Sequence, residues 1–86
     1  MGKRKVNYDY SILLERIEHI YGSQIAFGKA MNISEATISK KLLNKVDWKQ
    51  SEIERACKVL GIKKEYIAEV FFKVKENEDQ ENFFYD

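Results

Sequence analysis

Residues that end helices recur at short intervals along this chain, and between them the apolar residues keep helical spacing. Gly22, Asn32 and Gly61, with the polar run from Asn44 to Lys49 between the last two, divide the body into short segments. Gly and Asn tolerate the left-handed backbone that closes a helix. In the first segment Tyr10, Leu13, Leu14, Ile17 and Tyr21 recur at i, i+3, i+4, i+7 and i+11, one face of a helix. Phe27, Ala30 and Met31 form a shorter stripe in the second, and Ile53, Ala56, Cys57 and Leu60 a stripe in the fourth. With no proline and no sustained alternating pattern, the chain is predicted to be all-α.

Capping residues give the predicted helices their starts. Asp9, Ser23 and Ser34 each precede an apolar stripe, and Asp47 or Ser51 can open the fourth helix, Ser51 with Glu54 spelling a capping box. A fifth helix is expected from about Lys64 to Phe72, carrying Ile67, Val70 and Phe71. Eighty-six residues make one small domain, and no apolar run is long enough to span a bilayer. The single cysteine, Cys57, excludes an internal disulfide and fits a reducing cytoplasm; no apolar leader opens the chain. His19 has no second ligand at metal spacing, and neither a nucleophile–base pair nor a phosphate-cradling loop is present. No metal, cofactor or enzymatic activity is expected.

Charge is divided unevenly. Residues 1–64 hold 13 Lys/Arg against 7 Asp/Glu, and residues 65–86 hold 2 against 7, so a body of +6 precedes an end of −5. A basic body points to an anionic partner. The end also carries Phe83, Phe84 and Tyr85, aromatic residues that solvated tails seldom contain. Residues 1–9 are read as a basic arm, 10–72 as the folded domain and 73–86 as an acidic aromatic tail.

The second and third segments meet the demands of a helix-turn-helix. In a 20-residue frame starting at Gln24, the fifth position must be small where the helices cross, and is Gly28. The ninth must accept a left-handed backbone, and is Asn32. Phe27, Met31, Ile33 and Ile38 fill the fourth, eighth, tenth and fifteenth positions, which pack the pair together. On these residues, and on one flanking helix before the motif and two after it, the chain resembles the phage repressor and Cro-type regulators of the XRE class. The resemblance implies a five-helix, lambda-repressor-like DNA-binding domain. This sequence departs from it at Gly28 and Asn32, where Ala and Gly are usual, and at Lys41, where the family has an apolar residue; Leu42 is expected to take over that packing.

The resemblance also implies roles. The helix from Ser34 to about Leu43 would enter the major groove, with Glu35, Ala36, Thr37 and Lys40 against base edges. Gln24, Ser39, Lys41, Asn44 and Lys45 would contact phosphates. Three of these residues carry a second reading: Glu35 can complement the helix dipole, Lys40 can be a solvated lysine, and Asn44 can close the third helix in the left-handed conformation. The implied function is a phage or prophage repressor that occludes an operator, bound as a homodimer to palindromic double-stranded DNA. The alternative is a protein-interaction module, an antirepressor or antitoxin-like partner that uses the acidic aromatic tail.

Overall fold

The computed structural model of the protein describes residues 6–75. The basic residues before Val6 and the acidic residues after Lys75 lie outside the described residues. Among the described residues five α-helices follow one another: α1 Ser11–Tyr21, α2 Gln24–Met31, α3 Glu35–Leu42, α4 Gln50–Leu60 and α5 Ile67–Phe71. A 3₁₀ turn at Lys64–Tyr66 leads into α5, so the fifth segment is a turn plus a short helix rather than one continuous helix. The fold is all-α. Among the described residues the only extended pairing is an isolated antiparallel bridge between Tyr8 and Val74.

Three helix ends share one device, in which the N–H that follows a left-handed residue reaches back into the last turn. Asn32 takes φ 60°, and the next N–H, of Ile33, reaches the Gly28 carbonyl at 2.9 Å. Asn44 takes φ 65°, and Lys45 N–H reaches the Lys40 carbonyl at 2.8 Å. Gly61 takes φ 67°, and Ile62 N–H reaches the Cys57 carbonyl at 2.8 Å. An asparagine can replace glycine here because its short polar side chain lowers the cost of the left-handed backbone.

The N-termini follow the expected caps in two cases. Ser23 Oγ accepts from Ala26 N–H at 3.1 Å, and Ser34 Oγ accepts from Thr37 N–H at 3.2 Å. Ahead of α1, the Asp9 carboxylate accepts the Ser11 N–H at 2.9 Å from one place outside the cap position, which Tyr10 occupies. In α4 neither Asp47 nor Ser51 is the cap. That helix begins at Gln50, Lys49 holds the cap position, and Glu52 folds back so that its Oε1 accepts Lys49 N–H at 2.8 Å. Ser51 and Glu54 lie inside the helix.

Leu13, Ile17, Phe27, Met31, Ile38, Leu60 and Phe71 are fully buried, and each contributes about 1.5–3 kcal/mol of transfer free energy. Leu14 and Ala30, expected in the core, face solvent. Leu13 and Ile17 of α1 point inward with Tyr10 just ahead of it, which leaves Leu14 at the rim. On α2 the inward set is Phe27, Gly28 and Met31, and Ala30 falls beyond it. Side chains tie the bundle at carbonyls near helix ends. Arg16 Nε donates to Leu60 O at 2.7 Å, Tyr21 Oη to Val59 O at 3.1 Å, and Arg55 Nη1 to Met31 O at 2.9 Å.

Candidate functional site

The α2–α3 pair is built around a contact that only glycine permits. A Cβ on Gly28 would lie 2.7 Å from the Ile33 carbonyl oxygen and 3.5 Å from Ile38 Cγ1. Two helices this close lock their relative orientation, with Phe27, Met31 and Ile38 buried between them and Ile33 half-buried at the turn. Leu42 is buried one turn after Ile38. The seven residues expected to pack the motif are therefore gathered at one junction. Arg55, which sequence reasoning did not single out, pins the last carbonyl of α2 from α4.

Lys41 is not on the surface where a phosphate contact would require it. It is 2% exposed, and its Nζ donates to the Asp47 carbonyl at 2.8 Å and pairs with Glu52 Oε1 at 2.9 Å. The Trp48 ring lies beside the ammonium, 5.8 Å from Nζ to the ring centroid. A buried ammonium needs this full set of partners, because an unpaired one would neutralise or unfold the site. Lys41 thus occupies the apolar position with its methylene stem and satisfies its charge internally. On α3, Ile38, Lys41 and Leu42 turn inward together. Burial pushes the Glu52 carboxyl up, but the Lys49 N–H, the Lys41 hydrogen bond and the two lysine charges outweigh it and hold Glu52 below the ordinary carboxylate range.

The remaining candidates divide by exposure. Glu35, Ala36 and Lys40 are exposed on α3, Thr37 and Ser39 are half-buried on it, and Lys45 is exposed just past its end. Ser34 Oγ also donates to Thr37 Oγ1 at 3.0 Å, which engages that hydroxyl in the cap. Gln24 is half-buried at the start of α2. Asn44 serves the fold: its Oδ1 accepts Tyr8 N–H at 2.8 Å and its Nδ2 donates to Tyr8 O at 3.0 Å. This double clamp fixes the segment before α1 against the end of α3. Asp9 N–H and Lys73 O, at 2.6 Å, then join that segment to the end of the bundle.

Exposed aliphatic residues that the sequence patterns did not reveal lie at the start of α2 and the end of α3. Ile25 is 53% exposed in the first turn of α2, Leu43 is 61% exposed at the end of α3, and Val46 is 41% exposed in the following turn. Each lies off the stripe that packs its element, and that offset is the only signal the sequence holds. Among the described residues, no three His, Cys, Asp or Glu side chains gather as a metal site requires. No helix of these residues is long and apolar enough to cross a membrane. Burial pushes the Cys57 thiol up, as for a packing residue rather than a nucleophile.

Residues 6–74 match the family described as "Protein of unknown function (DUF739)". Among solved structures, the chain is similar to the solution structure of the modulator of repression (MOR) of the temperate bacteriophage TP901-1 from Lactococcus lactis. The two are 46% identical, with a TM-score of 0.69, over 76% of this chain and 88% of that one. No curated protein matches the chain at a significant level.

Proposed function

The chain belongs to the DUF739 family, and from that membership and its likeness to a modulator of repression we propose that it is a phage regulatory protein acting on a repressor protein. The contact surface is the exposed side of α2 and α3. The observation that carries this reading is the exposure of Ile25, Leu43 and Val46 around that helix pair. Aliphatic side chains at the start of α2 and the end of α3 cannot bind phosphates, which need N–H or O–H donors. They suit the desolvated centre of a protein interface, with Lys40, Lys45 and Glu35 as its polar rim. The protein would then relieve or tune repression by occupying the repressor, with no chemistry of its own.

A second reading keeps α3 as a recognition helix of the Cro and XRE type on a palindromic operator, bound as a homodimer. The close α2–α3 junction and the exposed Glu35, Ala36 and Lys40 support it. Selection of bound sites from random DNA separates the two. A palindromic consensus selected by this protein alone would favour operator binding. No enrichment, together with binding to the repressor encoded by the same phage genome, would favour the repressor as partner. The part of the interaction reading that rests on the acidic aromatic tail concerns residues outside those described.

A further inference from the structure

Past the end of α3 the aromatic residues do not close completely on one another. Tyr8, Tyr10, Trp48, Phe71 and Phe72 wall a cavity of 220 Å³, with Asp47 beside them. Tyr10 and Phe71 are buried, Tyr8 and Trp48 are half-buried, and Phe72 and Asp47 are exposed, so the cavity runs from a closed floor to an open mouth. Two of its ring pairs meet edge to face: Tyr8 with Phe72 at 5.8 Å and 88°, and Trp48 with Phe71 at 5.5 Å and 80°. In such a pair one ring keeps both faces for other contacts. Exposed lysines and aliphatics recur over the surface, but five of the eight Phe, Tyr and Trp side chains of residues 6–75 gather here. A second groove, beside α1 and Val70, has no Phe, Tyr or Trp in its wall and already holds Arg16.

The polar groups of the wall are acceptors. The Asp47 carboxylate only accepts, and the hydroxyls of Tyr8 and Tyr10 have lone pairs to offer. Burial first, then Tyr8 and the Asp47 charge, push the Tyr10 hydroxyl up against the opposing effect of the Trp48 indole N–H, and no lysine or arginine acts on it. Among the described residues Asp47 has no cation within ion-pair distance. Lys41, whose Nζ lies 5.8 Å from the Trp48 centroid, is already matched by Glu52 and by the Asp47 carbonyl. A phosphate would find a carboxylate at the mouth.

The volume is below the ~300 Å³ at which sites for drug-sized ligands begin, so it suits one side chain. Of the side chains that carry donors only, arginine is planar, stacks on aromatic faces, forks onto a carboxylate and leaves water more readily than lysine. We infer that the cavity receives one arginine side chain of the repressor, its guanidinium forked on the Asp47 carboxylate and stacked among the rings of Tyr8, Trp48 and Phe72. This rests on the proposed function: Val46 of the repressor-binding surface directly precedes Asp47, so the cavity continues that surface past the end of α3. An arginine anchored in an aromatic pocket is the kind of contact that dominates an interface.

Trp48 is the single tryptophan, so its indole N–H gives one resonance that reports on the cavity. The full chain, enriched in nitrogen-15, is titrated with arginine capped at both ends and with capped citrulline, which has the same shape without the charge. A saturable shift of the indole resonance by arginine is expected, at least about tenfold weaker for citrulline and in Asp47→Asn, which keeps the carbonyl that holds Lys41. No shift, or equal shifts from the two probes, would overturn the inference. So would a shift seen only after residues 2–5 are removed, since the chain's own basic start would then be the occupant. A calorimetric arm uses the repressor. Asp47→Asn should lower its affinity at least about tenfold, and one Arg→Gln change in the repressor should reproduce that loss without adding to it. Arginine binding by a chain that binds no repressor would remove the proposed function and leave the cavity's preference standing. Repressor binding that Asp47→Asn leaves unchanged would overturn the inference and leave the function standing.

Discussion

At the scale of single residues, Lys41 settles how the third helix sits. A lysine at an apolar position invites the expectation of a rotated helix that offers its charge to a partner. Instead the stem is buried and the ammonium is spent on Glu52, the Asp47 carbonyl and the Trp48 ring. The pair is replaceable but not breakable. Lys41→Met combined with Glu52→Gln keeps the volume, leaves no unpaired charge and should change stability by less than about 1.5 kcal/mol, whereas Lys41→Ala leaves a cavity and an unpaired Glu52 and should cost about 2–3 kcal/mol in chemical denaturation. Glu52 titrates below its ordinary value, so its contribution is fully present above the unfolded carboxylate pKa of 4.5 and is lost as pH falls through the lower folded value. Glu52→Gln should therefore destabilise the protein at pH 7 and matter progressively less as pH falls below 4.5. Urea unfolding of both proteins across that range checks the sign.

At the scale of elements, turn chemistry was readable in the sequence and exposure was not. Gly22, Asn32 and Gly61 end helices where residue type alone places them, and Ser23 and Ser34 cap where expected. The all-α architecture followed from the same signals. Asn44 carried two readings, and the left-handed closure of α3 is the conformation it adopts. What escaped was anything set by a distant partner. Glu52 could be recognised as the residue that folds back to cap α4 only by knowing that Lys41 faces it, and Ser51 offered a better local pattern. The exposure of Leu14, Ile25 and Leu43 depends on which neighbours claim the core, which periodicity over one or two turns does not resolve. Two substitutions probe the junctions. Gly28→Ala gains about 1 kcal/mol of helix propensity, yet its Cβ meets the Ile33 carbonyl at 2.7 Å. Thermal unfolding should show a net loss of about 1–3 kcal/mol. Asn44→Gly preserves the left-handed turn and removes the clamp on Tyr8, so it should cost about 1–2 kcal/mol. Asn44→Ala loses both and should cost more.

At the scale of the whole molecule, the account rests on what the exposed side of α2 and α3 is made of. A nucleic-acid surface of this kind would be dominated by donors, and its affinity would fall ~10³–10⁵-fold between 50 and 200 mM salt if it made six to ten phosphate contacts. A protein interface centred on Ile25 and Leu43 should vary by only a few-fold over that range, because its apolar centre is not screened. The exposed lysines beside this surface act through encounter rate, not through the centre of the contact. The most direct measurement is a calorimetric titration of the phage's own repressor with the intact protein and with an Ile25→Ser/Leu43→Ser variant, whose exposed sites leave the fold intact. The account predicts that the intact protein binds and that the variant loses at least tenfold in affinity. Equal binding by both would contradict it.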